Sequence, residues 1–240
     1  MSKFTAPLVL ALSVLSGNAS ADFLGLYVGG GVWDHAPSGD FATTVAGDLA
    51  IDMESDLSYA GEKDSYVYAA FEHFVPFVPN VRIERATMGH EGTTTGTFVF
   101  NGVPGLTGNS SIDMDTTDTI IYWRLLDNWV NFDFGFNARK LNADFTVGSE
   151  SVSVSSTVPM LYLAAQFDLP FSGFSVGMDI NNISYSDVSY QDVRIRALYE
   201  MGVFGVEAGL KTTSLELKGL DAVNADLEFK GVMVGAFLHF

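Results

Sequence analysis

Val130-Asn131-Phe132-Asp133-Phe134-Gly135-Phe136-Asn137-Ala138-Arg139 is the stretch on which the fold turns. Val130, Phe132, Phe134, Phe136 and Ala138 fall on one register, and Asn131, Asp133, Gly135, Asn137 and Arg139 on the other. Successive strand side chains point to opposite faces, so the segment reads as a strand with one apolar and one polar side. The pattern repeats. Phe174, Val176, Met178 and Ile180 oppose Ser175, Gly177, Asp179 and Asn181; Val193, Ile195, Ala197 and Tyr199 oppose Asp192, Arg194, Arg196, Leu198 and Glu200; Phe204, Val206, Ala208 and Leu210 oppose Gly205, Glu207, Gly209 and Lys211. Further segments of this kind lie at 23–33, 65–75, 80–89, 112–125, 152–168 and 225–240. Ten strands result, or eight if 80–89 or 112–125 is misdrawn.

Their connections rotate between two sorts. Short turns at Pro76–Pro79, Leu126-Asp127-Asn128, Leu169–Ser172 and Met201–Val203 alternate with longer links at 34–64, 90–111, 147–151, 184–189 and 218–224. Short turns at one end and long loops at the other are the layout of an outer-membrane barrel, periplasm against exterior. An even strand count puts both termini at the periplasmic end. A soluble sandwich or barrel is the alternative, and would turn the apolar face inward. Mean hydropathy is positive, +0.22, yet no stretch offers the roughly 18 apolar residues of a membrane helix. Phe71, Trp123, Phe132, Phe167, Phe174, Tyr199, Phe204 and Phe240 stand on the apolar register near the short turns, as an interfacial girdle does. Arg85 is the misfit: strict counting sets it on the lipid face beside Ile83, so a bulge or snorkelling near Thr87 is expected to accommodate it.

The ends agree with this reading. Lys3, the apolar run Pro7–Leu15 and the small-residue site Ala19-Ser20-Ala21 make a secretory signal peptide over 1–21, cleaved before Asp22, leaving a barrel domain over 22–240. The last strand carries Val234, Ala236, Leu238 and Phe240 on one face and resembles the C-terminal assembly signal of Gram-negative barrels, which implies the barrel-assembly machinery as a partner. The chain has no cysteine, so disulfides and thiol chemistry are excluded. A net charge of −17 excludes a nucleic-acid partner. Outer-membrane lipid and lipopolysaccharide are the expected surroundings.

Phe71-Glu72-His73-Phe74-Val75-Pro76-Phe77-Val78-Pro79-Asn80-Val81-Arg82 and Leu126-Asp127-Asn128-Trp129-Val130-Asn131-Phe132-Asp133, with the opening Leu26-Tyr27-Val28-Gly29-Gly30-Gly31, resemble a family of small proteobacterial outer-membrane barrels found in genomes with a GlyGly C-terminal sorting system. The likeness spans the mature chain. It implies fold and location and carries no activity.

Register also sorts the charges. The inner face receives Glu72, Glu84, Asp118, Asp133, Asp179, Asp192, Glu200 and Glu207, with Arg82, Arg124, Arg139, Arg194, Arg196 and Lys211. So balanced a set reads as an interlaced ion-pair network, or alternatively as a selectivity lining. Gly25, Gly29, Gly31, Gly205, Gly209, Gly231 and Gly235 form a bare wall on strands that closure makes neighbours; the bulky Tyr66, Tyr68, Tyr122, Arg124, Tyr162, Arg194 and Arg196 are expected on the opposite wall. Any conduit would follow the glycines, and close packing by the bulky groups would abolish it. The excess acid falls in the links, above all 34–64, which reads as a solvated acidic loop able to attract divalent cations. His35 beside Asp34 and His90 beside Glu91 are expected at the outer rim, where a histidine–carboxylate pair is the conceivable catalytic element; no hydrolase motif accompanies them. No catalytic, metal or cofactor residues are assigned. The expected function is a non-enzymatic envelope barrel, with a narrow solute channel and then a rim hydrolase as alternatives.

Overall fold

The computed structural model describes residues 24–240 except 76, 128 and 186; the expected signal segment, with Ala19, Ala21 and Asp22, lies outside the described residues. Ten long strands form the wall: β1 (Leu24–Thr43), β2 (Glu62–His73), β3 (Asn80–Thr93), β4 (Asn109–Asp127), β5 (Val130–Val147), β6 (Glu150–Asp168), β7 (Phe174–Tyr185), β8 (Val188–Met201), β9 (Phe204–Leu220) and β10 (Val223–His239). Each pairs antiparallel with its chain neighbour, and β10 pairs with β1 from Tyr27↔His239 to Thr43↔Val223, closing the barrel. Mutual backbone bonds between Leu26 and Phe240, 2.9 and 3.0 Å, lock both termini at one end, here the proximal end. Closure leaves no sheet edge in the proximal half, as an apolar solvent requires of a strand structure.

The polarity of the two faces reverses along each strand. On β5 the outward side chains run Val130, Phe132, Phe134, Phe136, Ala138 and then Lys140, Asn142, Asp144, Thr146. The inward ones run Asn131, Asp133, Gly135, Asn137, Arg139 and then Leu141, Ala143, Phe145, Val147. Phe136 is 53% exposed while Phe145 is 0% exposed. β9 and β10 repeat the switch, from Leu210 to Thr212 and from Val232 to Lys230 on the outside. Val130–Ala138 has the length of a membrane strand, about 9–11 residues. The proximal half is therefore lipid-facing with a polar lumen; the distal half is a water-facing barrel with an apolar core.

That distal core corrects several expectations. Link 34–64 is no solvated loop: β1 continues to Thr43, β2 starts at Glu62, and between them Ile51, Met53 and Leu57 are fully buried inside the barrel beside Phe41, Phe100 and Phe145. Residues 98–106 add a small hairpin, Phe98–Phe100 with Val103–Leu106. Links 147–151, 184–189 and 218–224 shrink to two residues each, because the strands run on past the membrane band with inverted polarity. Arg85 needs no bulge, since the β3–β4 register runs unbroken through it. It flanks Thr117 on one side as Lys140 does on the other, at the distal margin of the apolar band, and pairs with Asp115 at 3.5 Å.

The reversal is testable by moving one charge along a single strand. Phe136→Arg should lower stability by about 2–4 kcal/mol in urea unfolding from lipid vesicles. Asp144→Arg, on the same face farther out, should stay within about 0.5 kcal/mol.

Candidate functional site

The seven glycines do share the inner register, but they do not face a distant bulky wall. β2 is the direct neighbour of β1, so Tyr68 stands opposite Gly29 and Tyr66 opposite Gly31. A Cβ on Gly29 would meet the Tyr68 ring at 2.6 Å and one on Gly31 the Tyr66 hydroxyl at 2.7 Å; Phe237 lies against Gly205, and the Tyr66 hydroxyl also against Gly235. Aromatic side chains thus cover the strip at Gly29, Gly31, Gly205 and Gly235, while Gly25 lies on the open proximal side.

Across the lumen the fourteen inward charges meet in pairs. Nearest the proximal mouth, Arg124 bridges Glu72 (2.7 Å) and Asp133 (3.1 Å), and the Tyr122 hydroxyl donates to Glu72. Glu200 pairs with His239 at 2.9 Å. At mid-depth Glu84 holds Arg82 (2.6 Å) and Arg194 (3.1 Å), Asp179 holds Arg194 (3.0 Å) and Arg196 (3.2 Å), and Glu207 takes Arg196 (2.7 Å) and the Tyr66 hydroxyl (2.8 Å). A third group joins Asp118 to Arg139 (2.6 Å) and Asp192 to Arg139 (3.1 Å) and Lys211 (3.5 Å). Tyr190 and Trp33 cover its distal side, with the Arg139 guanidinium 4.7 Å from one ring centre and the Lys211 ammonium 4.6 Å from the other. The charges satisfy one another across strands that are far apart in sequence, as buried ions must.

Beyond the rings sits a cluster that the sequence reading placed at the rim. His35 and His90 are each 1% exposed, sealed among Trp33, Tyr59 and Phe229. His90 Nδ1 lies 3.0 Å from the Ala60 carbonyl, His90 Nε2 lies 3.1 Å from His35 Nδ1, and His35 Nε2 lies 3.2 Å from the Asp64 carboxylate. A carbonyl and a carboxylate only accept, so His90 donates from Nδ1 to Ala60 and His35 donates from Nε2 to Asp64. The Gly89 amide and Thr87 hydroxyl also donate to Asp64, standing in for the β2–β3 ladder, which stops at Tyr66↔Ala86. Burial works against the Asp64 charge, but these bonds outweigh it and hold the carboxyl below its usual range. Burial pushes the His90 imidazole down, against its bond to Ala60. The signal that would have found the cluster is parity: His35 shares the register of Trp33, and His90 that of Glu84. Among the described residues no three His, Asp or Glu side chains group to hold a metal ion.

A cavity of about 910 Å3 stays open at the proximal end, lined by Tyr68, Glu72, Arg82, Arg124, Tyr162 and Glu200 among others. It is blind: the mid-depth ion pairs form its floor and the apolar core lies behind them.

No family model matches the chain, and no curated protein matches it. Among solved structures, the outer-membrane protease OmpT from Escherichia coli superposes with a TM-score of 0.55 at 10% identity, over 90% of this chain and 97% of that one. The Neisserial surface protein A aligns at 0.38 and 6% identity, over 90% and 97%; the Yersinia pestis attachment invasion locus protein Ail aligns at 0.37 and 11%, over 90% and 99%. The OmpT likeness, taken with the apolar belt and the closed ten-strand sheet, decides the class. The fold is that of an integral outer-membrane β-barrel. It extends to the fold alone, because one residue in ten is shared.

Two outcomes are expected from this interior. Arg139→Ala leaves Asp118 and Asp192 short of a partner and should cost about 3–5 kcal/mol in urea unfolding. For His90 the folded value lies below the unfolded one near 6.5, so its stabilisation is full above that pH and is lost as pH falls below it. Asp64, Glu62 and His35 are the charged or titratable groups that act on it, and the Asp64 contribution is lost only in stronger acid. The urea midpoint should drop between about pH 7.5 and about pH 5.5, and His90→Gln should flatten that drop.

Proposed function

We propose that the protein is a sealed, non-enzymatic surface barrel of the Gram-negative outer membrane, exported on residues 1–21, with both termini periplasmic and the distal half projecting from the cell. The observation that carries this reading is the unbroken filling of the barrel, from the Arg–carboxylate layers through Trp33 and Tyr190 to the apolar core. A porin needs a wetted path, and the two places where one was expected, the glycine strip and the charged lumen, are both occupied. The OmpT likeness does not carry a protease activity here; the distal histidines are shut in the core, away from any substrate. Outward-pointing Lys63, Arg85, Lys140 and Lys230 follow the distal margin of the apolar band, the depth of lipopolysaccharide phosphates. Divalent cations between those phosphates and the distal carboxylates fit the same picture. The exposed register Val234, Ala236, Leu238 of β10, ending at Phe240, supports delivery through the barrel-assembly machinery. The two turn motifs support membership of the small proteobacterial barrel family that they resemble.

The refolded mature protein should be silent in a planar bilayer; steady openings would replace this reading with a channel. Orientation is checked in cells, helped by the absence of native cysteine. Ser149→Cys should react with an impermeant maleimide on intact cells, and Ser172→Cys only after the outer membrane is opened. The reverse pattern would invert the topology.

A further inference from the structure

The distal wall has a gap. β6 pairs with β7 only from Asp168↔Ser175 to Leu161↔Asn182, whereas it pairs with β5 along its whole length to Glu150↔Val147. From Met160 to Glu150 its other edge pairs with no strand among the described residues, and past Val158 the β7–β8 hairpin, ending at Tyr185 and Val188, is too short to reach it. Pro159 marks the end of the ladder. The Asp168 amide bonds Trp129 on the β5 side, so amides of even-numbered residues point to β5 and those of odd-numbered residues toward β7. Pro159 has no such amide to give, and pairing ends two residues before it would be needed.

By the same parity the amides of Ser151, Ser153, Ser155 and Thr157 point out of the free edge. The partner the structure gives to them is the Asp221 carboxylate, from the β9–β10 turn, 3.1 Å from the Ser155 amide. The outer side chains leave the edge uncluttered: the hydroxyls of Ser151, Ser153 and Ser155 turn to Thr146, Asp144 and Asn142 on β5. The inner ones, Val154 and Val158, are buried in the core and keep the strand fixed. From Ser151 to Val158 this stretch has no lysine and no inward charge, the usual protections of an exposed edge.

We propose that the free edge of β6, residues 150–158, is a strand-addition site for an extended, basic segment of another protein, and that Asp221 is the acceptor such a segment displaces. Charge selects the occupant. Asp144 and Glu150 flank the edge, with Lys140 opposite Thr157, and across the neighbouring strands Asp52, Asp40, Asp226 and Glu216, the last paired with Lys218, stand in one register row, so that acids outnumber bases. Asp40 is raised by burial and then by Asp226 and Asp52, a sign of the local negative field. That field, on a chain of net charge −17, repels a second copy and attracts lysine and arginine. The inference rests on the surface-barrel reading only for the compartment that supplies the segment, since purified protein presents the edge regardless of topology.

The probe is a fluorescent peptide of alternating Lys and Val, about ten residues long to match the edge, titrated against the full mature protein in detergent micelles. Saturable binding is expected, weakened at least about tenfold by Ser153→Pro and left unchanged by Ser153→Ala. Asp221→Gly, which suits the positive φ of 47° at that turn, should tighten it several-fold. A peptide N-methylated at alternate amides should not bind, which tests backbone pairing even if the proline variant does not fold. Equal binding of the methylated peptide, no binding to either wild type or Asp221→Gly, or self-association of the chain in place of peptide capture would each overturn the proposal. Conductance or inverted labelling would overturn the surface-barrel reading and leave these titrations untouched.

Discussion

A strand in lipid has no water to satisfy its backbone, so every amide and carbonyl in the apolar band must find another strand. The pairing of β10 with β1, secured by the Leu26–Phe240 bonds, meets that demand. Most of the architecture follows from it. Closure fixes which residues look inward, brings Glu84 within reach of Arg194 from the far side of the wall, and lays Tyr66 and Tyr68 over the glycines of β1. The demand lapses beyond the band, and there the wall opens between β6 and the short β7–β8 hairpin, just as the β2–β3 ladder ends early at Tyr66↔Ala86.

The lumen and the distal core answer one problem in two ways. Inside a ten-stranded barrel there is room that must be filled or wetted. In the membrane half the outer face is already apolar, so the inner face carries the polar residues, and these neutralise one another as Arg–carboxylate layers. In the distal half water is outside, and the ordinary rule of a soluble barrel returns, with Phe41, Phe145 and Phe229 at the centre and the loop after β1 folded in beside them. His35 and His90 sit where the two regimes meet, which is why an imidazole pair and a carboxylate are both sealed and hydrogen-bonded there.

How much of this was legible depended on whether the signal was local. The alternation in 130–139 is a property of neighbouring residues, and it sufficed for the strand count, the parity of all fourteen lumen charges and the inward register of the seven glycines. It failed where polarity reversed. Leu141, Ala143, Phe145 and Val147 alternate as cleanly as Phe132 and Phe134, but on the opposite register, and a reading tuned to apolar-outward strands ended there. The acidic link 34–64 was misread for the same reason: its charges lie on the outer face of a longer β1 and on a loop whose apolar members, Ile51, Met53 and Leu57, point into a core not visible in the sequence.

By itself, then, the sequence determined a closed even-stranded barrel, its parity and its cysteine-free, acidic character, because strand alternation and composition need no knowledge of distant residues. The tertiary structure alone decided which face meets lipid, water or core at each height, since that depends on depth along a tilted strand. It decided that Tyr66 and Tyr68 cover the glycine strip, because adjacency of β1 and β2 at a given register is a matter of pairing. It also decided that β6 outlasts β7, leaving an edge that Pro159 begins and Asp221 guards.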